Sequence, residues 1–361
     1  MEMIETESNV VVLNEQPEFS TAEQENVSAS FFVLCEENDD SNFSQNIYDY
    51  KVAGMSILNW VIRACDKEPV ILKVSEGDNV IETIRPYLEN TDYSVVLYAS
   101  TPLLNKGHIK DLLGFVARKR MNACKLKKGF VFKNDYIVNV DDMYSIDTYD
   151  FASNDFFEIK NQADISLVQD ILEKKVLAYH KKNGVYFENE SHVVVDATTE
   201  VGYSSVLGAG AKVLNHSSVE NNVKIGANSV ISNSKIGEDV EIGLNVVIDG
   251  CVVKGGVKIG DGVILKNSVI GNNVVVETGS IVSGSGIKDE SSVGEMVKLS
   301  NVRLGENVHI RKCAKIVGDK ISTIIMKNTI IGTNSVIVDS KIAESSELES
   351  NKTVIENKRV D

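Results

Sequence analysis

A histidine and a cysteine four residues apart, His309 and Cys313, lie in a segment that also carries Arg311, Lys312 and Lys315. An imidazole can act as a general base near neutral pH, and a thiol beside cations becomes a better nucleophile because its pKa falls. These residue types suit acyl transfer. The alternative stays open that His309 is a polar residue on an outer face and that Cys313 is structural.

The segment lies inside a six-residue repeat that extends from Val195 to Val354. An aliphatic residue returns at almost every sixth position. This period predicts a left-handed parallel β-helix with inward aliphatic side chains and three hexads in each coil. Glycine follows about ten of the aliphatics, for example Ile225 and Ile242, and we expect these glycines at tight turns with positive φ. The repeat fails between Val317 and Lys327, which predicts a loop that leaves the coil.

The first half of the chain alternates strands with helices, which predicts a parallel sheet covered on both faces. The predicted strands are Phe31–Leu34, Val70–Val74 and Tyr93–Tyr98, and the predicted helices are Ser56–Ala64, Val80–Leu88 and Lys106–Arg120. Strand-like pieces follow at 129–132 and 136–140, and a helix at 164–180. Ligands of such sheets bind at the carboxyl ends of the strands, here the loops after Leu34 and Tyr98.

Four segments are therefore expected along the chain. They are a disordered acidic tail at 1–30, a shortened α/β domain at 31–163, a linking helix at 164–185 and the β-helix at 186–361. The tail contains seven glutamates and no lysine or arginine, which is the opposite of a secretory signal.

Composition limits the partners and the compartment. The 361 residues carry a formal net charge of −15, which argues against nucleic acid and anionic membranes as partners. The basic stretch from Arg118 to Lys128 is either a solvated helix end with the following strand or a rim that binds phosphate. The five cysteines are widely spaced and form no CxxC pair. We therefore expect a cytoplasmic protein without disulfides or structural zinc.

Several motifs carry a resemblance to a known family. They are Tyr179–Val185 (YHKKNGV), Gly54–Leu58 (GMSIL), Thr101–Leu104 (TPLL), Val302–Gly305 (VRLG), Val317–Asp319 (VGD) and Ile330–Thr333 (IIGT). Together they resemble the bifunctional N-acetylglucosamine-1-phosphate uridyltransferase/glucosamine-1-phosphate acetyltransferase family, over roughly Phe31 to Val354. The resemblance implies a nucleotidyltransferase-type α/β domain, a β-helix that carries acetyl transfer, and a homotrimer with its active sites between subunits.

The resemblance also assigns candidate residues. Cys313 falls at the position of the catalytic histidine of the family, and His309 is the nearby substitute. Gly332 and Thr333 fall in the coil that contacts coenzyme A, so acetyl-CoA is the candidate cofactor. The candidates for substrate binding are Asn301, Arg303 and Lys315 in the acetyltransferase segment, together with Asn161. The family's metal-binding asparagine falls at Lys160 or at Asn161, depending on a one-residue shift of the alignment.

The chain departs from the family at both sites. Residues 36–40 (EENDD) stand where the family has a glycine-rich loop that holds nucleotide phosphates, and carboxylates repel a triphosphate. Ala99 and Ser100 replace a Gly-Asp pair whose aspartate binds magnesium, so we do not expect a magnesium site. No metal-ligand spacing is found among the histidines.

These departures favour a divergent member of the sugar-1-phosphate nucleotidyltransferase/hexosamine-1-phosphate acetyltransferase family that binds a nucleotide sugar, a sugar phosphate or a partner protein with little or no catalysis. Two alternatives stay open. One is an active acyl-CoA-dependent sugar acyltransferase that uses a groove of the β-helix, and the other is a purely structural trimeric solenoid. If the chain is an enzyme, acyl transfer is favoured over nucleotidyl transfer.

Overall fold

The computed structural model describes residues 27–36, 46–75, 77–140, 147–150, 156–355 and 359–360. They form two compact units that divide after Lys174. Residues 1–26 of the predicted acidic tail lie outside the described residues. The last two residues of that predicted tail, Ala29 and Ser30, belong to the first strand. The predicted boundaries of the α/β domain, the linking helix and the β-helix stay predictions. Within the described part of the chain, every helix is too short or too polar to span a bilayer.

The first unit is a sheet with helices on both faces. Its strands are β1 Ala29–Glu36, β2 Lys51–Val52, β3 Met55–Ser56, β4 Val70–Val74, β5 Tyr93–Tyr98, β6 Ala123–Lys125, β7 Phe130–Lys133 and β8 Asp147–Thr148. Its helices are α1 Ile57–Ala64, α2 Val80–Ile84, α3 Lys106–Arg118 and α4 Asn134–Ile137, with 3-10 turns at Ile47–Asp49 and Arg85–Tyr87. Helix α5, Gln162–Lys182, begins in this unit and ends in the second, because the division after Lys174 falls within it.

The strand order is β4-β1-β5-β7-β6-β8. Strands β4, β1 and β5 are parallel, but β7 is antiparallel to β5, so the sheet is mixed rather than all parallel. Phe31 and Val33 pack on the side of α1 and α3, and Phe32 and Leu34 on the side of α2 and α4. The chain passes from β1 to β4 on one side and later to β5 on the other. The carboxyl ends of β1 and β5 therefore form a topological switch point, where open α/β sheets bind ligands.

Two predicted elements of this unit are wrong. The strand-like piece at 136–140 contains the end of helix α4 and the turn after it, and the Asn134 side chain bonds to Ser94 Oγ at 2.7 Å and to Thr91 O at 2.8 Å where β7 ends. The predicted helix Val80–Leu88 ends as an α-helix at Ile84 and continues as a 3-10 turn. The proline in that turn has no N–H for a further helical hydrogen bond.

The second unit is a left-handed β-helix whose three walls are parallel sheets of ten strands each. Wall 1 consists of Val194–Val195, Lys212–Leu214, Val230–Ser232, Val247–Asp249, Ile264–Lys266, Ile281–Ser283, Lys298–Ser300, Lys315–Val317, Val336–Val338 and Thr353–Ile355. Wall 2 consists of Glu200–Val201, Ser218–Val219, Lys235–Ile236, Val252–Val253, Val269–Ile270, Gly286–Ile287, Val302–Leu304, Thr323–Ile325, Lys341–Ile342 and Arg359–Val360. Wall 3 consists of Tyr186–Phe187, Val206–Leu207, Lys224–Ile225, Glu241–Ile242, Lys258–Ile259, Val275–Val276, Ser292–Val293, His309–Ile310, Ile330–Ile331 and Glu347–Leu348. A 3-10 turn, Glu190–His192, lies in the first coil.

The predicted inward residues form the core of the β-helix. In wall 1, Val213, Ile231, Ile248 and Leu265 pair in register and are fully buried. Hydrogen-bonded partners in adjacent coils are 18 residues apart near the start, 17 apart in most later coils and 21 apart across the predicted break. The break is a loop at 318–322, after which wall 2 resumes.

The predicted role of the repeat glycines is wrong. Gly226 and Gly243 do not have positive φ; the positive φ falls two residues later, at Asn228 and Asn245. The glycines are needed for space, since a Cβ on Gly226 would lie 2.3 Å from the carbonyl oxygen of Gly243 in the next coil. Asparagine tolerates the left-handed conformation better than most residues do, so the sequence uses it at the corner itself.

Candidate functional site

A pocket of about 280 Å³ lies at the carboxyl ends of β1 and β5. It occupies the switch point of the sheet, between the ends of the two strands whose following loops were predicted to bind a ligand. Its lining residues are Leu34, Glu36, Ile47, Tyr48, Ala99, Ser100, Lys128, Glu158, Ile159 and Lys160. They combine apolar side chains with two carboxylates, two ammonium groups and the hydroxyls of Tyr48 and Ser100.

Lys128 joins the two carboxylates of this pocket. Its Nζ lies 2.6 Å from Glu36 Oε2 and 2.6 Å from Glu158 Oε1, and 5.0 Å from the ring centroid of Tyr98. Burial alone lowers the pKa of Lys128, but the hydrogen bonds to Glu158 and Glu36 outweigh burial and raise it above its ordinary value. The lysine is therefore a fixed cation near neutral pH, and we call Glu36, Lys128 and Glu158 the lysine clamp.

The pocket does not fit the magnesium ion that the resemblance implies. Magnesium prefers carboxylate oxygens, but both carboxylates of the pocket already bind the Lys128 ammonium. Ala99 and Ser100, at the position of the family's Gly-Asp pair, provide no carboxylate. Among the described residues, no group of three or more His, Cys, Asp or Glu side chains is placed to hold a metal ion.

Asn161, a predicted substrate-binding residue at the position of the family's metal-binding asparagine, caps the start of α5. Its Oδ1 accepts hydrogen bonds from the backbone N–H groups of Ala163 and Asp164. Asp164 in turn accepts from the N–H groups of Lys160 and Asn161. These reciprocal bonds cap the helix. The residue that lines the pocket is the neighbouring Lys160.

Sequence reasoning missed the lysine clamp. Lys128 belongs to the basic stretch that was interpreted as a solvated surface or a phosphate rim, and its bonds to two glutamates fit neither interpretation. Nearby Lys119 and Lys127 lie over the rings of Phe115 and Phe156. The available signal was the group of acidic residues after β1, which requires a nearby cation if any member is partly buried.

The predicted catalytic histidine of the β-helix has a partner on each ring nitrogen. His309 Nδ1 lies 2.8 Å from Ser292 Oγ in the preceding coil, and Nε2 lies 3.0 Å from Asn307 Oδ1. Because an amide oxygen only accepts, Nε2–H donates to Asn307 Oδ1, whereas the bond between Nδ1 and the serine hydroxyl can run in either direction. The two bonds orient the imidazole of His309 on the outer face of wall 3.

Cys313, Gly332 and Thr333 lie close to the same wall. Cys313 is exposed at the corner after wall 3, where it adopts a φ of 60°. Gly332 packs so closely on the next coil that a Cβ would lie 2.4 Å from Ser350 N, and the N–H of Thr333 donates to Ser350 Oγ at 3.1 Å. Cys313 lies at the corner that follows wall 3 in one coil, and Gly332 and Thr333 lie at the same corner in the next coil.

The predicted substrate-binding residues are spread over the other walls. Lys315 is exposed in wall 1, next to Lys298 in the register. Arg303 is in wall 2, where its Nη1 donates to Gly284 O at 3.1 Å. Asn301 occupies the corner between these walls and supports the loop at 318–322 through a bond to Gly318 O at 3.0 Å. Within one chain, these three side chains do not meet His309.

No protein-family model matches the chain. Over 106 residues it is 24% identical to the bifunctional protein GlmU of Alkaliphilus oremlandii (strain OhILAs), a stretch that covers 29% of this chain and 22% of that protein. It is similar to the solved UDP-N-acetylglucosamine acyltransferase of Francisella novicida, with a TM-score of 0.26 and 16% identity over 45% of this chain and 62% of that one. A UDP-N-acetylglucosamine O-acyltransferase of Moraxella catarrhalis RH4 gives a TM-score of 0.23 and 17% identity over 46% and 70%.

The resemblance inferred from the sequence is confirmed as a distant similarity to GlmU. The predicted fold class, a small α/β domain followed by a parallel β-helix of hexapeptide repeats, is confirmed by the strand pairing. The match spans 22% of the length of that relative. Activity, substrates and partners of the whole protein are therefore matters for proposal.

Proposed function

We propose that the chain is a non-catalytic relative of sugar nucleotidyltransferases and acyltransferases that binds a nucleotide sugar at the pocket of its α/β unit. The lysine clamp is the observation that carries this proposal. An ammonium has a single charge and no open coordination position. It therefore cannot bridge and polarise phosphate oxygens as a divalent metal does in nucleotidyl transfer.

Binding and turnover are tested separately. The purified protein is titrated with UDP-N-acetylglucosamine by calorimetry and then incubated with UTP, N-acetylglucosamine 1-phosphate and Mg²⁺. We expect saturable binding and no pyrophosphate above the protein-free rate. Lys128→Met should weaken binding, whereas Lys127→Met, which changes a lysine outside the pocket lining, should not. Pyrophosphate release by the wild type would overturn the proposal, and a flat titration would favour a purely structural solenoid.

The proposal includes a homotrimer built on the β-helix. Four outward aliphatic side chains lie in register on wall 1, namely Val230, Val247, Ile264 and Ile281, and Ile281 remains 39% exposed. Such a row on a flat wall supports packing against another copy. Ile264→Glu should convert trimers to monomers in sedimentation velocity, while Lys266→Glu on the same strand should leave them intact. A wild-type monomer at every concentration contradicts this part.

The compartment that we propose is the cytoplasm. All five cysteines are free; Cys35, Cys65, Cys124 and Cys251 are buried, and Cys313 is exposed. Burial raises the pKa of the Cys35 thiol to about 11 and that of Cys65 to about 12, so these two remain protonated at neutral pH and are poor nucleophiles.

A second candidate function is acyl transfer from acetyl-CoA at wall 3. It is favoured by the imidazole of His309, which hydrogen bonds to Ser292 and Asn307 hold in a defined orientation. The exposed Arg311 and Lys312 lie one coil from Gly332 and Thr333, and their cations suit the phosphates of coenzyme A. Incubation with acetyl-CoA and a panel of amino sugars should release free thiol that disappears in His309→Ala. No release across the panel removes this candidate.

A further inference from the structure

We propose that the pocket between β1 and β5 recognises an uncharged ring that carries several hydroxyl or N–H donors, without a metal ion and without phosphate contacts. This inference rests on the proposed function and names which part of the nucleotide sugar the pocket holds. The shared chemistry of the ligand is that of a monosaccharide or a nucleoside.

The volume of the pocket suits one end of a nucleotide sugar better than the whole molecule. Pockets for drug-sized ligands measure roughly 300–1,000 Å³, and this pocket measures about 280 Å³. A complete nucleotide sugar contains three rings: the base and the ribose at the nucleoside end, and the sugar at the other end beyond a diphosphate. The pocket therefore favours either the nucleoside end or the sugar end, with the diphosphate outside it.

The polar lining accepts hydrogen bonds. Glu36 uses Oε2 for Lys128, so its other carboxylate oxygen can accept from a ligand donor. Ser100 lines the pocket, and its buried Oγ has no hydrogen-bond partner among the described residues. A buried hydroxyl without a partner is costly. A ring hydroxyl that reaches it would relieve that cost.

The charge of the lysine clamp disfavours phosphate. The lysine clamp contains two carboxylates and one ammonium, so its net charge is −1. Lys160 is the other lining cation, but its side chain is 69% exposed and lies 3.4 Å from Glu158. A phosphate brought into the pocket would meet carboxylates whose cation is already used, whereas hydroxyl donors suit those same carboxylates.

The apolar lining suits the carbon face of a ring. Leu34, Ala99 and Ile159 contribute aliphatic groups, and Tyr48 contributes an aromatic ring. Pockets that bind small molecules combine such surfaces with a few well-placed polar groups that fix orientation. The polar and apolar parts of this pocket therefore point to a hydroxylated ring rather than to a charged head group.

The experiment is a calorimetric titration of the full chain in EDTA with four probes: uridine, N-acetylglucosamine, inorganic phosphate and pyrophosphate. We expect either uridine or N-acetylglucosamine to bind, and no heat from inorganic phosphate or pyrophosphate. The dissociation constant of the probe that binds should change less than twofold when Mg²⁺ replaces EDTA. Glu36→Gln and Ser100→Ala should each weaken ring binding at least fivefold. Lys127→Met should change it less than twofold. The fluorescence of Trp60, the only tryptophan, reports whether the α/β unit of each variant is folded.

The two proposals fail in different ways. Phosphate or pyrophosphate binding as tight as that of a ring, or a tenfold gain from Mg²⁺, overturns the inference about the ring. Binding of UDP-N-acetylglucosamine without binding of uridine or of N-acetylglucosamine also overturns the inference about the ring, but it leaves the proposed function in place. Turnover by the wild type overturns the proposed function, while metal-independent ring binding still supports the inference. If uridine binds and the sugar does not, the pocket holds the nucleoside end.

Discussion

The β-helix and the pocket of the α/β unit place polar groups by opposite means. In the β-helix each coil repeats its neighbour, so a hydroxyl such as Ser229 Oγ accepts from a backbone N–H 17 residues later. In the α/β unit, Lys128 bonds to Glu36, 92 residues away, and to Glu158, 30 residues away. The contacts of the repeat recur from coil to coil, whereas the contacts of the pocket occur once and require three particular side chains.

The sharpest contrast should come from the core of the β-helix. Leu265→Ala removes a fully buried side chain from the stack of wall 1 and should lower the free energy of unfolding by about 3–4 kcal/mol. Lys266→Ala, the next residue on the same strand, should change it by less than about 0.5 kcal/mol. Denaturant titration by circular dichroism measures both, and the Trp60 transition of the α/β unit should not move. Equal effects of the two variants would contradict the assignment of inward and outward positions.

Acid should destabilise the β-helix unit through His180. Burial lowers the pKa of this imidazole to about 4, and its Nδ1 finds no hydrogen-bond partner in the described part of the chain. The unfolded chain takes up a proton near pH 6.5 but the folded chain only near pH 4, so falling pH favours unfolding between these values. The expected loss is about 3 kcal/mol.

The control for this prediction is His180→Phe, which keeps an aromatic ring and removes the titration. Between pH 6.5 and pH 4, the free energy of unfolding of His180→Phe should fall less than that of the wild type. The difference between the two proteins should be most of the loss of about 3 kcal/mol expected for His180. An identical pH profile for the two proteins would show that His180 is not the responsible group.

The spacing role of the repeat glycines can be tested with one substitution at two positions. Gly226→Asn places a side chain against the backbone of the next coil and should cost about 2 kcal/mol or more. Gly262→Asn should cost about 0.5 kcal/mol or less, because Gly262 has a φ of +65° with open space around it and asparagine already occupies the equivalent corner at Asn245. Thermal unfolding of the two variants measures these costs. If Gly262→Asn lowered the melting temperature more than Gly226→Asn, the repeat glycines would be needed for a turn with positive φ rather than for space.

The smallest expected effect is that of the lysine clamp on stability. Lys128→Met leaves two partly exposed carboxylates without their cation, and Glu36 is 36% exposed. Solvent screens much of the resulting repulsion, so we expect a loss of about 1 kcal/mol in the Trp60 transition. A loss as large as that of Leu265→Ala would mean that the clamp is a folding element rather than part of a binding site.

These contrasts also explain what the sequence could reveal. The inward positions of the β-helix were predictable because a period of six is local and is repeated in each wall, as Val213 and Ile231 show. The positive-φ corners were assigned to the wrong residues, because the steric need at Gly226 comes from a coil that is distant in sequence. The lysine clamp carries no periodicity or motif, since its members meet only after the sheet has formed. His309 was identified as a candidate, but its partners Ser292 and Asn307 follow from the coil register alone.

The most direct test of the account is the metal dependence of UDP-N-acetylglucosamine binding, measured by calorimetry on one preparation in EDTA and in Mg²⁺. If the Lys128 ammonium is the fixed cation of the pocket, the two dissociation constants should agree within a factor of about two. Binding that appears only with Mg²⁺ would contradict the account, because it would require a metal site where the structure has a lysine.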